Sequence, residues 1–198
     1  MWRPASPPLG PRSLFIENFE NLRQQVPGLI SFTSDPSWGS EEPNFRSFLY
    51  QHLCQKLQIS DPLDVLNLRP LVRWNDYSIS ISHCPSLGAY VLANRPIGFD
   101  VEDSQRISES VCRRIQNKAD AIPLNAWDLF WCAKEAALKC ADQGRSTVLI
   151  SEVCLAWEPR SEGVFWRFQW RIQDQQSGNG IAWRRDSHAF AIAFSSPS

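Results

Sequence analysis

The sequence predicts an α+β fold in two halves, residues 1–96 and 97–198, each made of helix and antiparallel strand. Three observations carry that reading. Apolar residues recur at helical spacing in several separate stretches, whereas residues 77–82 and the segments after Gly144 alternate with period two. A chain of 198 residues that is 43% hydrophobic can also bury one sizeable core or two small fused ones. No residue-level repeat relates the halves.

Four prolines in residues 1–12, at Pro4, Pro7, Pro8 and Pro11, disfavour regular structure and predict an extended arm. Ser13 can cap a helix that runs to Val26 and stops at Pro27-Gly28. Residues 34–43 are turn-rich. A second helix over 44–58 places Phe45, Phe48, Leu49, Leu53 and Leu57 on one side, suited to covering a sheet. Residues 61–75 read as irregular, broken by Pro62 and Pro70. Tyr77, Ile79 and Ile81 then alternate with Ser78, Ser80 and Ser82, the pattern of a strand with one buried face. Residues 89–93 and 97–102 are expected to pair as a hairpin around Asn94-Arg95-Pro96. A helix over 105–116 follows from Ile107, Val111 and Ile115. In the next, over 125–141, Trp127, Trp131, Glu135 and Lys139 share one stripe, and Phe130, Ala133, Ala137 and Leu138 form the adjoining apolar face. Strands over 148–157, 164–172, 181–185 and 188–194 complete the chain.

The chemistry concentrates between Ile97 and Lys139. In IGFDVE, Asp100 and Glu102 are two residues apart on a strand, so both carboxylates leave one face. In FWCAKEAALK, Glu135 and Lys139 lie one helical turn apart on one stripe, roughly 6 Å along the axis. Three convergent carboxylates repel one another unless a cation sits among them, and hard oxygen ligands favour magnesium or manganese. Such a cation takes its remaining ligands from substrate phosphates, so the pattern points to transfer at phosphorus. Taken singly, each element has a plainer reading, a solvated strand face or an intrahelical charge pair.

Taken together, these elements resemble the signature of 4'-phosphopantetheinyl transferases, in which a Gly-x-Asp-x-Glu strand precedes a Trp-x-x-Lys-Glu-x-x-x-Lys helix. ISISH, ending at His83, is similar to the family's Ser-His element and precedes the acidic strand in the same order. The matches span Arg69 to Lys139. The resemblance implies a duplicated α+β fold with coenzyme A between the lobes. The length suits the fused, surfactin-type form, which implies a monomer, rather than the short trimeric synthases.

On that resemblance, Asp100, Glu102 and Glu135 would hold magnesium, or manganese, against the pyrophosphate of coenzyme A. Glu135 would accept the proton of the attacking carrier-protein serine, directly or through water. Lys139 would neutralise or protonate the departing phosphate oxygen, and Lys134 would bind a phosphate. Ser82 and His83 match the pair that touches coenzyme A phosphates, and Arg69-Pro70 stands where relatives often carry Lys-Pro near the 3'-phosphate. The chain departs from the surfactin-type pattern in having no basic residue over 34–44. Arg46, Arg23 and Arg12 are the substitutes at hand. The partner implied is an apo acyl or peptidyl carrier protein, and Arg113, Arg114 and Lys118 form a candidate docking patch for its acidic helices.

Twenty basic and 21 acidic residues leave a net charge of −1, which argues against a nucleic-acid surface. A magnesium nuclease, which can also carry Asp-x-Glu and a lysine, is disfavoured on that ground; a non-catalytic module binding coenzyme A or a carrier protein stays open. Six cysteines without Cys-x-x-Cys or zinc spacing read as reduced thiols. With no transmembrane or signal-like run, a cytoplasmic protein without membrane contact is expected.

Overall fold

The computed structural model describes residues 13–58, 71–74, 76–122, 125–142, 149–158, 164–172 and 176–195. The proline-rich arm and Arg69 lie outside them. The fold is α+β, with two antiparallel sheets. Helix α1 (Ser13–Gln25) leads into β1 (Leu29–Asp35), a short 3-10 turn (Pro36–Trp38) and α2 (Phe45–Leu57). Strands β2 (Leu71–Trp74), β3 (Tyr77–His83) and β4 (Gly88–Ala93) complete the first sheet, and β5 (Ile97–Asp103) opens the second. Helices α3 (Glu109–Ile115) and α4 (Trp127–Asp142) follow. A 3-10 turn (Ile150–Glu152) then leads to β6 (Val153–Trp157), β7 (Trp166–Ile172), β8 (Gln176–Arg185) and β9 (His188–Ser195).

The two sheets share one topology. The first has the order β1-β4-β3-β2 and the second β5-β9-β8-β7-β6. In each, an opening strand is followed by helix, and a meander then folds back until its last strand pairs with the first. Among the described residues, every strand of the first sheet comes from residues 29–93 and every strand of the second from residues 97–195.

Three apolar clusters join the layers. Leu49 and Leu53 of α2 pack on Ile79, Tyr90 and Leu92. On the opposite side of β4, Ala89, Val91 and Ala93 meet Ile97, Phe99 and Val101 of β5, together with Ile181, Ile192, Leu22 of α1 and Val26 just beyond it. Beyond the second sheet, Phe130, Ala133, Ala136 and Ala137 of α4 pack on Leu155, Phe168, Trp170, Ala189 and Ala191. The sheets therefore lie between α2 and α4, and their facing sides share one core.

Two expectations about this region are corrected. Residues 89–93 and 97–102 do not form a hairpin, because β4 is already paired on both edges, with β1 and β3, and β5 pairs with β9. Asn94-Arg95-Pro96 is instead a crossing between sheets, anchored by the Asn94 N–H donating to the Gly28 carbonyl at 3.1 Å. Nor is the serine face of β3 solvated: Ser78, Ser80 and Ser82 are buried. The Ser80 hydroxyl accepts the Phe99 N–H at 2.9 Å, and Ser82 donates to Asp100 at 2.7 Å. Small hydroxylated side chains let β3 lie close to β5 while meeting its unpaired backbone.

Candidate functional site

The site forms at the seam where β3 crosses β5 and α4 closes from the other side. Ile97, Phe99 and Val101 enter the core between the sheets, so the alternation of β5 turns Gly98, Asp100 and Glu102 toward α4. Gly98 explains the glycine of the acidic motif. A methyl group there would overlap the Ala136 carbonyl oxygen and come within 2.5 Å of the Cys140 nitrogen, so only glycine lets α4 pack this closely on the strand.

Asp100 is 3% exposed and is the centre of the arrangement. Its Oδ1 accepts from Lys139 Nζ at 2.8 Å and from Ser82 Oγ at 2.7 Å, while its Oδ2 is buried without a protein partner. Lys139 also donates to Ser82 Oγ and to the Phe99 carbonyl, each at 3.1 Å. Burial alone would depress the lysine pKa, but the Asp100 carboxylate outweighs it and leaves the pKa raised.

The other acids feel Asp100 as a like charge. Burial and then Asp100 push Glu102 up to about 7, against the pull of Arg106 and Lys139. Glu135 is raised by the same two causes in the same order. His83 sits at the edge of this field, held below its ordinary pKa by burial and then by the Arg46 and Lys139 cations. Phe45 meets its ring edge-on at 4.6 Å between centroids, and the Arg46 guanidinium lies 5.5 Å from the Phe45 ring centre. Asp100, Glu102, Glu135, Lys139, Ser82 and His83 are thus brought to one place.

Lys134 is not, and the phosphate role expected of it is corrected. Its side chain has no exposed surface; it pairs with Asp120 at 2.6 Å and donates to the Val153 carbonyl. It points away from the stripe of Glu135 and Lys139 because successive helical residues are turned by about 100°, which places Lys134 on the neighbouring face. Arg69 lies outside the described residues. In the proposed docking patch, Arg113, Arg114 and Lys118 are exposed. Arg113 is engaged locally, bonded to Glu109 at 2.8 Å and lying 5.4 Å from the Trp127 ring centre.

Two neighbours escaped the sequence reading. Arg106, three residues beyond the acidic strand in the turn that follows it, supports the charged form of Glu102. Cys132 lies fully buried beneath the acids, its thiol pushed well above the usual range by burial and then by Asp100 and Glu102. It is an inert packing group. Arg106 had a faint signal in its proximity to the motif, whereas Cys132 had none.

The donor set suits a hard divalent cation. It is all oxygen, it includes an orphaned buried carboxylate atom, and Glu102 and Glu135 are raised by burial and then by the Asp100 charge. Among the described residues, however, no three His, Cys, Asp or Glu side chains close into a ready-made metal cage. The chain matches no protein-family model and no curated protein. No helix among the described residues is long and apolar enough to cross a membrane.

Proposed function

We propose that the protein transfers the 4'-phosphopantetheine group of coenzyme A to a serine of an apo carrier protein, releasing 3',5'-adenosine bisphosphate. The observation that carries this reading is the convergence of Asp100, Glu102, Glu135 and Lys139 with Ser82 and His83 at one seam. These are the residues singled out by their resemblance to the transferase signature. The shared topology of the two sheets supports a fold of two similar fused lobes, divided near residue 96.

Asp100, Glu102 and Glu135 would hold magnesium, which supplies charge neutralisation at the pyrophosphate. The rest of the chemistry falls to the side chains. The carrier serine oxygen forms a new bond to the phosphorus bearing the pantetheine arm, and the bond from that phosphorus to the bridging oxygen breaks. Glu135 suits the proton transfer, because burial and Asp100 raise its basicity toward the working pH. Lys139 suits neutralisation of the leaving phosphate rather than donation of a proton, because its pairing with Asp100 strengthens its hold on that proton. His83, Ser82 and Arg46 line the approach and would bind phosphate. Arg46 offers one answer to the absent basic residues over 34–44.

The test is incubation of the protein with apo carrier protein, coenzyme A and magnesium. A carrier mass gain of one phosphopantetheine supports the reading. Binding of coenzyme A or carrier without modification would make the protein a binding module, and DNA cleavage would make it a nuclease.

A further inference from the structure

The Lys139 ammonium has three N–H donors and three oxygen partners: Asp100 Oδ1, Ser82 Oγ and the Phe99 carbonyl. That is the environment of a bound cation, supplied by the chain itself. Its carboxylate partner is the most buried of the three acids, and its second oxygen is buried without a protein partner. A dication entering at Asp100 would meet this ammonium within hydrogen-bonding distance of the same oxygen. Two positive charges so placed repel strongly. The lysine can yield: its side chain retains 16% exposure, and its flexible four-carbon stem can swing outward.

We propose that Lys139 is the resident counter-ion of the acid cluster, and that a divalent cation at Asp100 displaces its ammonium toward the pyrophosphate. This rests on the metal-dependent reading above. Metal loading and phosphate binding are then coupled through one side chain, and the coupling is reciprocal. Lys139 opposes the metal in the empty site and serves the phosphate in the loaded one.

The experiment is a titration of the full-length protein with manganese, free Mn2+ being followed by electron paramagnetic resonance without coenzyme A. Lys139→Gln keeps a donor toward Ser82 and Phe99 but removes the charge. It should bind Mn2+ about tenfold or more tighter than wild type, the scale set by one unit charge beside a dication even in a water-like dielectric. Equal or weaker binding by a folded Lys139→Gln overturns the proposal. Wild type serves as a second test, because Mn2+ should increase acetylation of Lys139 by an amine-reactive reagent, read by mass spectrometry. Unchanged labelling under saturating metal also overturns the proposal. Asp100→Asn separates the two levels: if it binds Mn2+ as wild type does, or if neither binds any, the metal reading itself falls.

Discussion

Lys134→Met tests most directly whether the first lysine of the helix motif is structural. Lys134 and Asp120 are both without exposed surface. Removing one partner of a buried ion pair costs about 3–5 kcal/mol, because the other charge stays behind. Asp120 would keep two donors, the Asn117 and Leu155 amides, each at 2.6 Å. The loss on Lys134→Met should therefore fall near the lower end, about 3 kcal/mol. Asp120→Ala is worse. It strands the ammonium with only the Val153 carbonyl and the Phe130 ring, 5.3 Å from its centre, and leaves both amides bare. A value near 5 kcal/mol follows. Replacing both, Lys134→Met with Asp120→Leu, removes the stranded ammonium but still leaves the Asn117 and Leu155 amides without their acceptor, so it should recover only part of the difference. For a chain of this length each kcal/mol moves the melting temperature by about 2–4 °C, so Lys134→Met should lower it by about 6–12 °C. Thermal and urea unfolding measure this, and calorimetry should find the coenzyme A affinity of the folded variant unchanged. A stability loss under about 1 kcal/mol accompanied by weakened coenzyme A binding would refute the reasoning and return Lys134 to phosphate binding.

Further outcomes follow from the same geometry. Gly98→Ala should cost roughly 1–3 kcal/mol by overpacking and lower turnover although no reacting group is changed, because the new methyl pushes α4 off β5; wild-type activity in that variant would count against the close packing. His83→Ala should raise the Michaelis constant for coenzyme A more than it lowers turnover, and a pure turnover loss would oppose a binding role. Asp100→Ala should abolish holo-protein formation as fully as Glu135→Ala, since it removes the partner of Lys139 and the centre of the acid field; near-normal activity would sink that assignment. Asp128 titrates below its ordinary value: burial opposes this, but the Arg184 hydrogen bonds prevail. Its depressed pKa gives stability that is present above the unfolded value of about 3.9 and lost as pH falls through the folded one. Arg184→Gln should shift acid unfolding, followed by tryptophan fluorescence, to higher pH, and an unmoved midpoint would argue against the pair.

Helices were legible because their signals are local. The periodicity over 44–58 and 125–141 matches α2 and α4 to within two residues. Strand β1 was not legible, and its burial shows why. In LISFTSD, Ile30 is 40% exposed whereas Ser31 is buried, so polarity runs against position. Lys134 misled in the same way. Its burial depends on Asp120, fourteen residues upstream in a loop that no helical pattern connects to it. The shared faces of Asp100 with Glu102 and of Glu135 with Lys139, in contrast, were readable from spacing, since two residues on a strand and four on a helix fix which faces they share.

What spacing could not supply is the seam, and the chemistry depends on it. Asp100 and Glu102 stand on the edge strand of the second sheet, beside a backbone that β9 leaves unpaired. An exposed edge would be wet, with its charges screened. Here the edge is covered from two directions: Ser80 takes the Phe99 N–H, and Lys139 takes the Phe99 carbonyl. The serines that read as the polar face of β3 therefore dry the site on one side, and the lysine that reads as surface charge on α4 closes it on the other. Burial is then what drives Glu102 and Glu135 away from ordinary carboxylate behaviour. The burial of the acidic strand is thus a property of the seam, where β3 covers one side of β5 and α4 the other.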